Sequence, residues 1–307
     1  WTGPMICSHE KIPAGILVAL IASVIFHAGL EAAPQPSGSA LYSVTVVVTT
    51  AAEGDTVPAR CSVTDSEGNH RYPPPGQSFY HDAAGGYFYS SGVFTLIMPG
   101  GTSVFRAGRG FESVPAEEHC LISSDTTLTL SLRGLCKPGE AGLFGGDVHV
   151  HLNHGPGYYT LGPPEARTIA LAEGLSVINC LDNSYFFTGG PDPCSDDECV
   201  VYMSEEIRSG VWGHYGLLGL DRLIEPFGSD WGPLLGEMAD SAHAQSGALV
   251  TAAHPVSSED FFQTTVWPGS GIARELPVDA ALGRVDAFEV MSYSNASGGI
   301  QTGMWYD

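Results

Sequence analysis

Histidines carry the first chemical signal in this sequence. Six of the eleven lie after residue 148, at His149, His151, His154, His214, His243 and His254. The stretch Asp147-Val-His-Val-His151 is the most informative. On a strand, alternate residues share a face, so His149 and His151 can converge on one ion. Val148 and Val150 then face the other way, into packing. Two incidental imidazoles on an ordinary strand are the competing reading, and the apolar flanks make that arrangement costly without a partner. Asn153 and Gly155 turn the chain just afterwards. That puts the pair at the carboxyl end of a strand, where α/β barrels hold their sites. His254, at the end of the apolar run 248–253 and followed by Pro255, is delivered in the same manner. Glu206 and His214 flank a Gly-rich hairpin and can reach the same cleft. Imidazole and carboxylate donors suit Zn²⁺, Mn²⁺ or Fe²⁺.

Other residues have plainer readings. His154 sits in an Asn-His-Gly turn, His243 reads as a packing residue on a helix, and His70, His81 and His119 are scattered loop residues. Tyr158, Tyr185 and Trp212 either line an aromatic pocket or pack in the core or rim. No Gly-rich phosphate loop precedes a helix with Lys, and no Gly-x-Ser-x-Gly elbow is present, which argues against P-loop and serine-hydrolase chemistry.

The elements that must position these groups change in texture along the chain. Residues 42–48, 59–64, 87–89, 93–98, 103–106 and 126–132 read as short strands with β-branched residues and turns between them. This predicts an all-β sandwich over 40–138. Residues 34–39 and 137–142 read as linkers. Strand and helix then alternate: strands at 146–151, 175–181, 248–253 and 286–291, helices at 164–173 and 231–246. Gly174 and Gly247 follow the two helices as stops. Repeated β-α units predict a parallel sheet over 143–307, doubly wound or closed into a barrel.

Composition narrows the function classes. Among 307 residues, 12 Lys and Arg face 34 Asp and Glu, a formal net charge of −22. Such a surface repels phosphate backbones and anionic lipid, so no nucleic-acid partner is expected. Charged residues are 15% and hydrophobic residues 43%, which excludes disorder of the whole chain. The apolar run 12–26, with Lys11 before it and small residues after it, reads as part of a signal peptide over 5–33. It is shorter than the ~20 residues of a membrane span, so no stable membrane insertion is expected after cleavage. Met5 reads as the initiator, and the chain reads as a fragment that stops inside its second domain. Secreted or periplasmic location follows, in a disulfide-permissive compartment. Of seven Cys, Cys194 and Cys199 in a polar loop read as a local disulfide.

Two resemblances extend this reading. The first segment resembles carboxypeptidase-regulatory, transthyretin-like sandwiches, through Gly92-Val-Phe-Thr-Leu with Met98-Pro-Gly-Gly, Gly108-Arg-Gly-Phe-Glu112 and the run 127–133. The second half resembles the PHP (polymerase and histidinol phosphatase) superfamily of metal-dependent hydrolases, in its CehA/McbA, carbaryl hydrolase-like branch. The matching stretches are 146–151, Glu206-Ile-Arg with 213–220, 247–255 and 275–289. The resemblance implies a distorted β/α barrel, truncated at its C-terminal end, that binds two divalent ions. His149 and His151 would hold the first, His214 and His254 the second, and Glu206 would bridge them. The superfamily's Thr-Asp-His appears here as Leu181-Asp182-Asn183, which leaves Asp182 as a further metal ligand and puts a third ion in doubt.

The function these features imply is metal-dependent hydrolysis of a small-molecule ester or carbamate. Metal-activated water would attack, with Glu206 and His214 as the catalytic residues. A phosphoesterase of the wider superfamily is one alternative. An exported binding protein with an inactive barrel is the other.

Overall fold

The nine strands that follow residue 40 lie in two stacked sheets, and simple alternation explains why. A computed structural model describes residues 40–82, 85–153, 160–181, 187–224, 228–229, 232–255 and 274–289. All of them lie in one unit, Ala40–Asp307. The leader expected over 5–33 falls outside the described residues. The strands are β1 (Leu41–Thr50), β2 (Ala59–Thr64), β3 (His81–Asp82), β4 (Tyr87–Ser90), β5 (Val93–Pro99), β6 (Gly101–Gly108), β7 (Ser113–Val114), β8 (Ala116–Ile122) and β9 (Thr126–Gly134). One sheet has the order β5-β1-β9-β7, the other β3-β4-β2-β6-β8. Every second residue of β1 (Val44, Val46, Val48) is fully buried. They meet Phe94, Leu96 and Met98 of β5, and Cys61, Val63 and Phe105 from the facing sheet. This is a period-2 strand with one face in the core.

The second half is built differently. After a 3-10 turn at Pro138–Ala141 come β10 (Gly146–Val150), α1 (Pro163–Ala172), β11 (Val177–Cys180), β12 (Val200–Met203), β13 (Glu205–Ser209) and β14 (Gly213–Leu218). The remainder is β15 (Gly228–Ser229), β16 (Gly232–Pro233), α2 (Leu235–His243), β17 (Leu249–Ala253), α3 (Leu276–Ala281) and β18 (Ala287–Phe288). β10, β11 and β12 form a parallel sheet in that order, over a core of Leu152, Ala170, Ile178, Cys180, Val201 and Met203. β13, β14, β17 and β18 form a second sheet, backed by α2 through Tyr215, Leu217, Met238, Ala242 and Val250.

The expected β/α barrel is corrected by this second sheet. β13 pairs antiparallel with β14, β14 pairs antiparallel with β17, and β17–β18 is the one parallel pair in it. The reason is the connection. Gly210-Val211-Trp212 is too short for a crossover, and only antiparallel neighbours can be joined by so tight a turn. Among the described residues of this half three α-helices accompany nine short strands, so a helix does not follow each strand as a PHP-type barrel requires.

The Pro/Gly-rich join at 137–142 suggests few contacts between the two halves, and the structure differs. The sandwich grips the carboxyl end of α1. Arg109 Nε donates to the Leu171 carbonyl at 3.0 Å and the Gly110 N–H to the Ala172 carbonyl at 3.2 Å. Cations and donors are favoured at this end of a helix, where carbonyls lack partners. Tyr89 Oη donates to Glu173 at 2.6 Å, and Arg60 pairs with the same carboxylate at 3.2 Å. Gly110 has φ +54°, and a Cβ there would strike the Glu173 carbonyl, so a glycine is needed for this approach.

Candidate metal centre

Four short segments bring the sequence-predicted donors together. His149 and His151 come from the end of β10, where the period of two does place both rings on one side, with their Nε2 atoms 3.2 Å apart. The ladder to β11 slips between Asp147 and Val150. Consequently Val150 packs on the core beneath while Val148 stays 38% exposed rather than buried. Glu206 lies on β13, and His214 on β14 stands opposite Arg208 in the antiparallel register. His254 follows the last residue of β17, and β14 and β17 pair so that His214 stands opposite Ala253. Asp182, the remaining candidate ligand, lies outside the described residues, as do His154, Tyr158 and Tyr185.

Glu206 is the hub. Its side chain is 1% exposed. Its Oε1 lies 3.1 Å from His214 Nδ1, 3.6 Å from His254 Nε2 and 3.8 Å from His149 Nε2. Yet among the described residues this buried oxygen has no hydrogen bond of acceptable geometry. Burial alone would push the Glu206 carboxyl up. The imidazoles of His151, His214 and His254 and the charge of Arg208 outweigh it and hold the group well below the usual carboxylate range. His214 Nδ1 and His254 Nε2 are 3.3 Å apart, and donor atoms of His149, Glu206 and His254 all fall within 4.8 Å of one another.

These spacings fit a divalent cation. Two donors ~2.1 Å from one ion at a tetrahedral angle lie about 3.4 Å apart. A buried carboxylate oxygen crowded by imidazole nitrogens is a group that a shared ion would satisfy. The donor set, imidazole with one carboxylate, suits Zn²⁺, Mn²⁺ or Fe²⁺.

Two residues of the site escape a reading of spacing alone. Glu289 follows β18; one of its oxygens makes a short contact with His149 Nδ1, and the other accepts the His254 backbone N–H at 2.7 Å. A carboxylate on the far ring nitrogen fixes the tautomer and leaves Nε2 free to bind metal. His254 has φ +28°, a conformation rare for a residue without glycine's freedom and rarer still before proline. Strain of this kind persists where the surroundings impose it. The second missed residue is Arg208, whose Nε donates to Glu206 Oε2 at 2.5 Å. The period of two on β13 placed both on one face and was the available signal for Arg208. Glu289 had no such signal, because it is brought in by strand pairing across 140 residues.

Other candidates separate from this centre. His243 Nε2 pairs with Asp286 at 2.9 Å, and Asp286 also accepts the Val250 N–H at 2.7 Å, tying α2 to β17. Trp212 packs against the α2 core. The expected Cys194–Cys199 disulfide is absent: both are free thiols, as are Cys61, Cys120, Cys136 and Cys180. Cys199 is fully buried beside Val201, and burial pushes its thiol up; burial and the Asp192 carboxylate push Cys194 up to about 12.

No family model matches the chain, and no curated protein matches it. Matching solved structures include the shaft pilin SpaA of Lactobacillus rhamnosus GG, at 15% identity and a TM-score of 0.23 over 32% of this chain and 47% of that one. The minor pilin GBS52 of Streptococcus agalactiae matches at 14% identity and a TM-score of 0.24, over 33% and 47%. A DUF3823 family protein of Parabacteroides merdae matches at 11% identity and a TM-score of 0.22, over 31% and 47%. The chain thus spans about half the length of each of these proteins. The PHP and CehA/McbA identification is corrected on these findings. No family model matches, and the second half is strand-dominated with an antiparallel centre. The hydrolase activity, the catalytic use of Glu206 and His214, and the small-molecule ester, carbamate or phosphoester substrate rested on that identification and are withdrawn with it. Of that description, the β-sandwich remains. Among the described residues no helix is long and apolar enough to cross a membrane.

Proposed function

We propose that this chain is an exported binding protein, a sandwich of about one hundred residues joined to a second domain that binds a divalent metal ion. His149, His214, His254 and Glu206 are its ligands, and Glu289 orients His149. The observation that supports it best is Glu206 Oε1: a buried carboxylate oxygen without a hydrogen bond, ringed by three imidazole nitrogens at 3.1–3.8 Å. Export to a secreted or periplasmic location is supported by the apolar run 12–26 and the small residues after it. In this reading the ion stabilises the fold around β10, β13, β14 and β17, since a ligand that binds only the folded state raises its stability.

The test is to strip the full chain with a chelator, reload it with Zn²⁺ or Mn²⁺, count bound ions and compare melting temperatures. At least one ion per chain and a higher melting temperature are expected. A chain that retains no ion and melts identically with and without metal sinks the reading.

A further inference from the structure

We infer that the Arg208 guanidinium occupies the position at which a second cation would meet Glu206, so that the site takes one divalent ion rather than two. The inference rests on the metal-binding reading above and specifies its stoichiometry. The two oxygens of Glu206 have different surroundings. Oε1 faces His149, His214 and His254 and receives no hydrogen bond. Oε2 accepts from Arg208 Nε at 2.5 Å and lies 3.3 Å from His151 Nε2. Arg208 Nη2 in turn is 3.2 Å from that same imidazole nitrogen. A second ion bridged by Glu206 would need Oε2 and His151 Nε2 as donors, and the guanidinium lies against both.

Arg208 reaches this place because β13 is a strand. Glu206 and Arg208 are two residues apart and share a face, while Ile207 turns into the core behind them. The guanidinium presents a delocalised positive charge and a planar fork of N–H donors to this position. It also repels a second divalent ion at a separation where charges interact strongly. With Arg208 removed, Oε2 and His151 Nε2 would remain 3.3 Å apart, the spacing of two donors on one ion. Arg208 is 57% exposed, so its replacement leaves the core untouched.

The experiment is metal counting by native mass spectrometry on the full chain and on Arg208→Ala, each stripped and reloaded with Mn²⁺. Electron paramagnetic resonance serves as a second readout of whether ions are coupled. Circular dichroism confirms that the variant is folded. The expected result is one uncoupled Mn²⁺ in the parent and two coupled ions in Arg208→Ala. Two ions in the parent, or one ion in a folded Arg208→Ala, overturns the assignment. A parent that binds none overturns the metal reading itself, and the role of Arg208 falls with it.

Discussion

Two buried carboxylates, one in each half of the molecule, show how a fold separates structure from binding. Asp65, after β2, is buried and answered locally. It accepts the N–H groups of Glu67 and Asn69, both at 2.9 Å, and pairs with Arg71, whose Nε lies at 2.6 Å. Every partner lies within six residues, so the turn and its anion form together. Glu206 is answered locally at Oε2 only, by Arg208 two residues on, while Oε1 faces imidazoles brought from β10, β14 and the end of β17 without a hydrogen bond of acceptable geometry among the described residues. Both carboxyls are held low by their partners against the opposing effect of burial. Local and complete satisfaction marks a structural anion. In the proposed metal-binding reading, incomplete satisfaction by groups from distant segments is the mark of a place kept for a ligand.

The sharpest way to break this comparison is Glu206→Gln. Gln keeps the volume and removes the charge that would face the ion. Metal affinity should fall by on the order of 100-fold or more, since even outer groups cost 10–100-fold. Titration calorimetry with Zn²⁺ measures it. Unchanged affinity would make Glu206 a structural anion like Asp65.

Glu289→Gln comes next. A glutamine can still accept the His254 N–H, yet it no longer offers a carboxylate to His149 Nδ1. Affinity should drop roughly 10–100-fold, with His149 losing its preferred tautomer. An affinity within twofold of the parent would remove Glu289 from the site.

Asp65→Asn tests the other half. Loss of the Arg71 ion pair, with the backbone N–H groups still answered, should cost about 1–2 kcal/mol of stability and leave metal binding alone. The pH dependence has a definite sign. Asp65 has a folded pKa below its unfolded value. Its stabilisation is present above about pH 4 and is lost as pH falls through the folded pKa. Acid melting curves of Asp65→Asn should therefore be flatter than the parent's below about pH 4. Parallel curves would show that the turn does not depend on the charge.

The same contrast explains what could be read in advance. β1 was legible because one face of a strand in a sandwich repeats every two residues, and the same rule brought His149 and His151 to one side. His254 was legible because an apolar run that ends in His-Pro has to stop there. The Gly-rich hairpin between Glu206 and His214 is the antiparallel pair β13–β14, whereas the parallel sheet expected around it is not found, because the helices on either side suggest repeating β-α units while β14 and β17 pair antiparallel. Glu289 was illegible for a different reason. Its contacts depend on β17 and β18 lying side by side, and nothing within its own short strand, Ala287–Phe288, encodes that. Cys194 and Cys199 looked like a disulfide by spacing, and the structure packs them instead as apolar thiols against Val201 and Met203.

The finest test lies within one strand. Glu205 and Glu206 are adjacent on β13 and both are buried, so composition and burial do not tell them apart. The strand's alternation does. Glu206 faces the imidazoles, whereas Glu205 faces away and accepts the Ile224 N–H through Oε2 at 2.9 Å. That bond fixes the chain after β14 and has no connection with the ion. In Glu205→Gln the amide oxygen can take the same N–H, so stability should change by less than about 1 kcal/mol. Metal affinity should match the parent. Paired with Glu206→Gln, this variant holds residue type, burial and position along the chain nearly constant and changes only the face. If Glu205→Gln lost the ion while Glu206→Gln kept it, β13 would run one residue out of register from the strand described here. The hub of the site would then have to be reassigned.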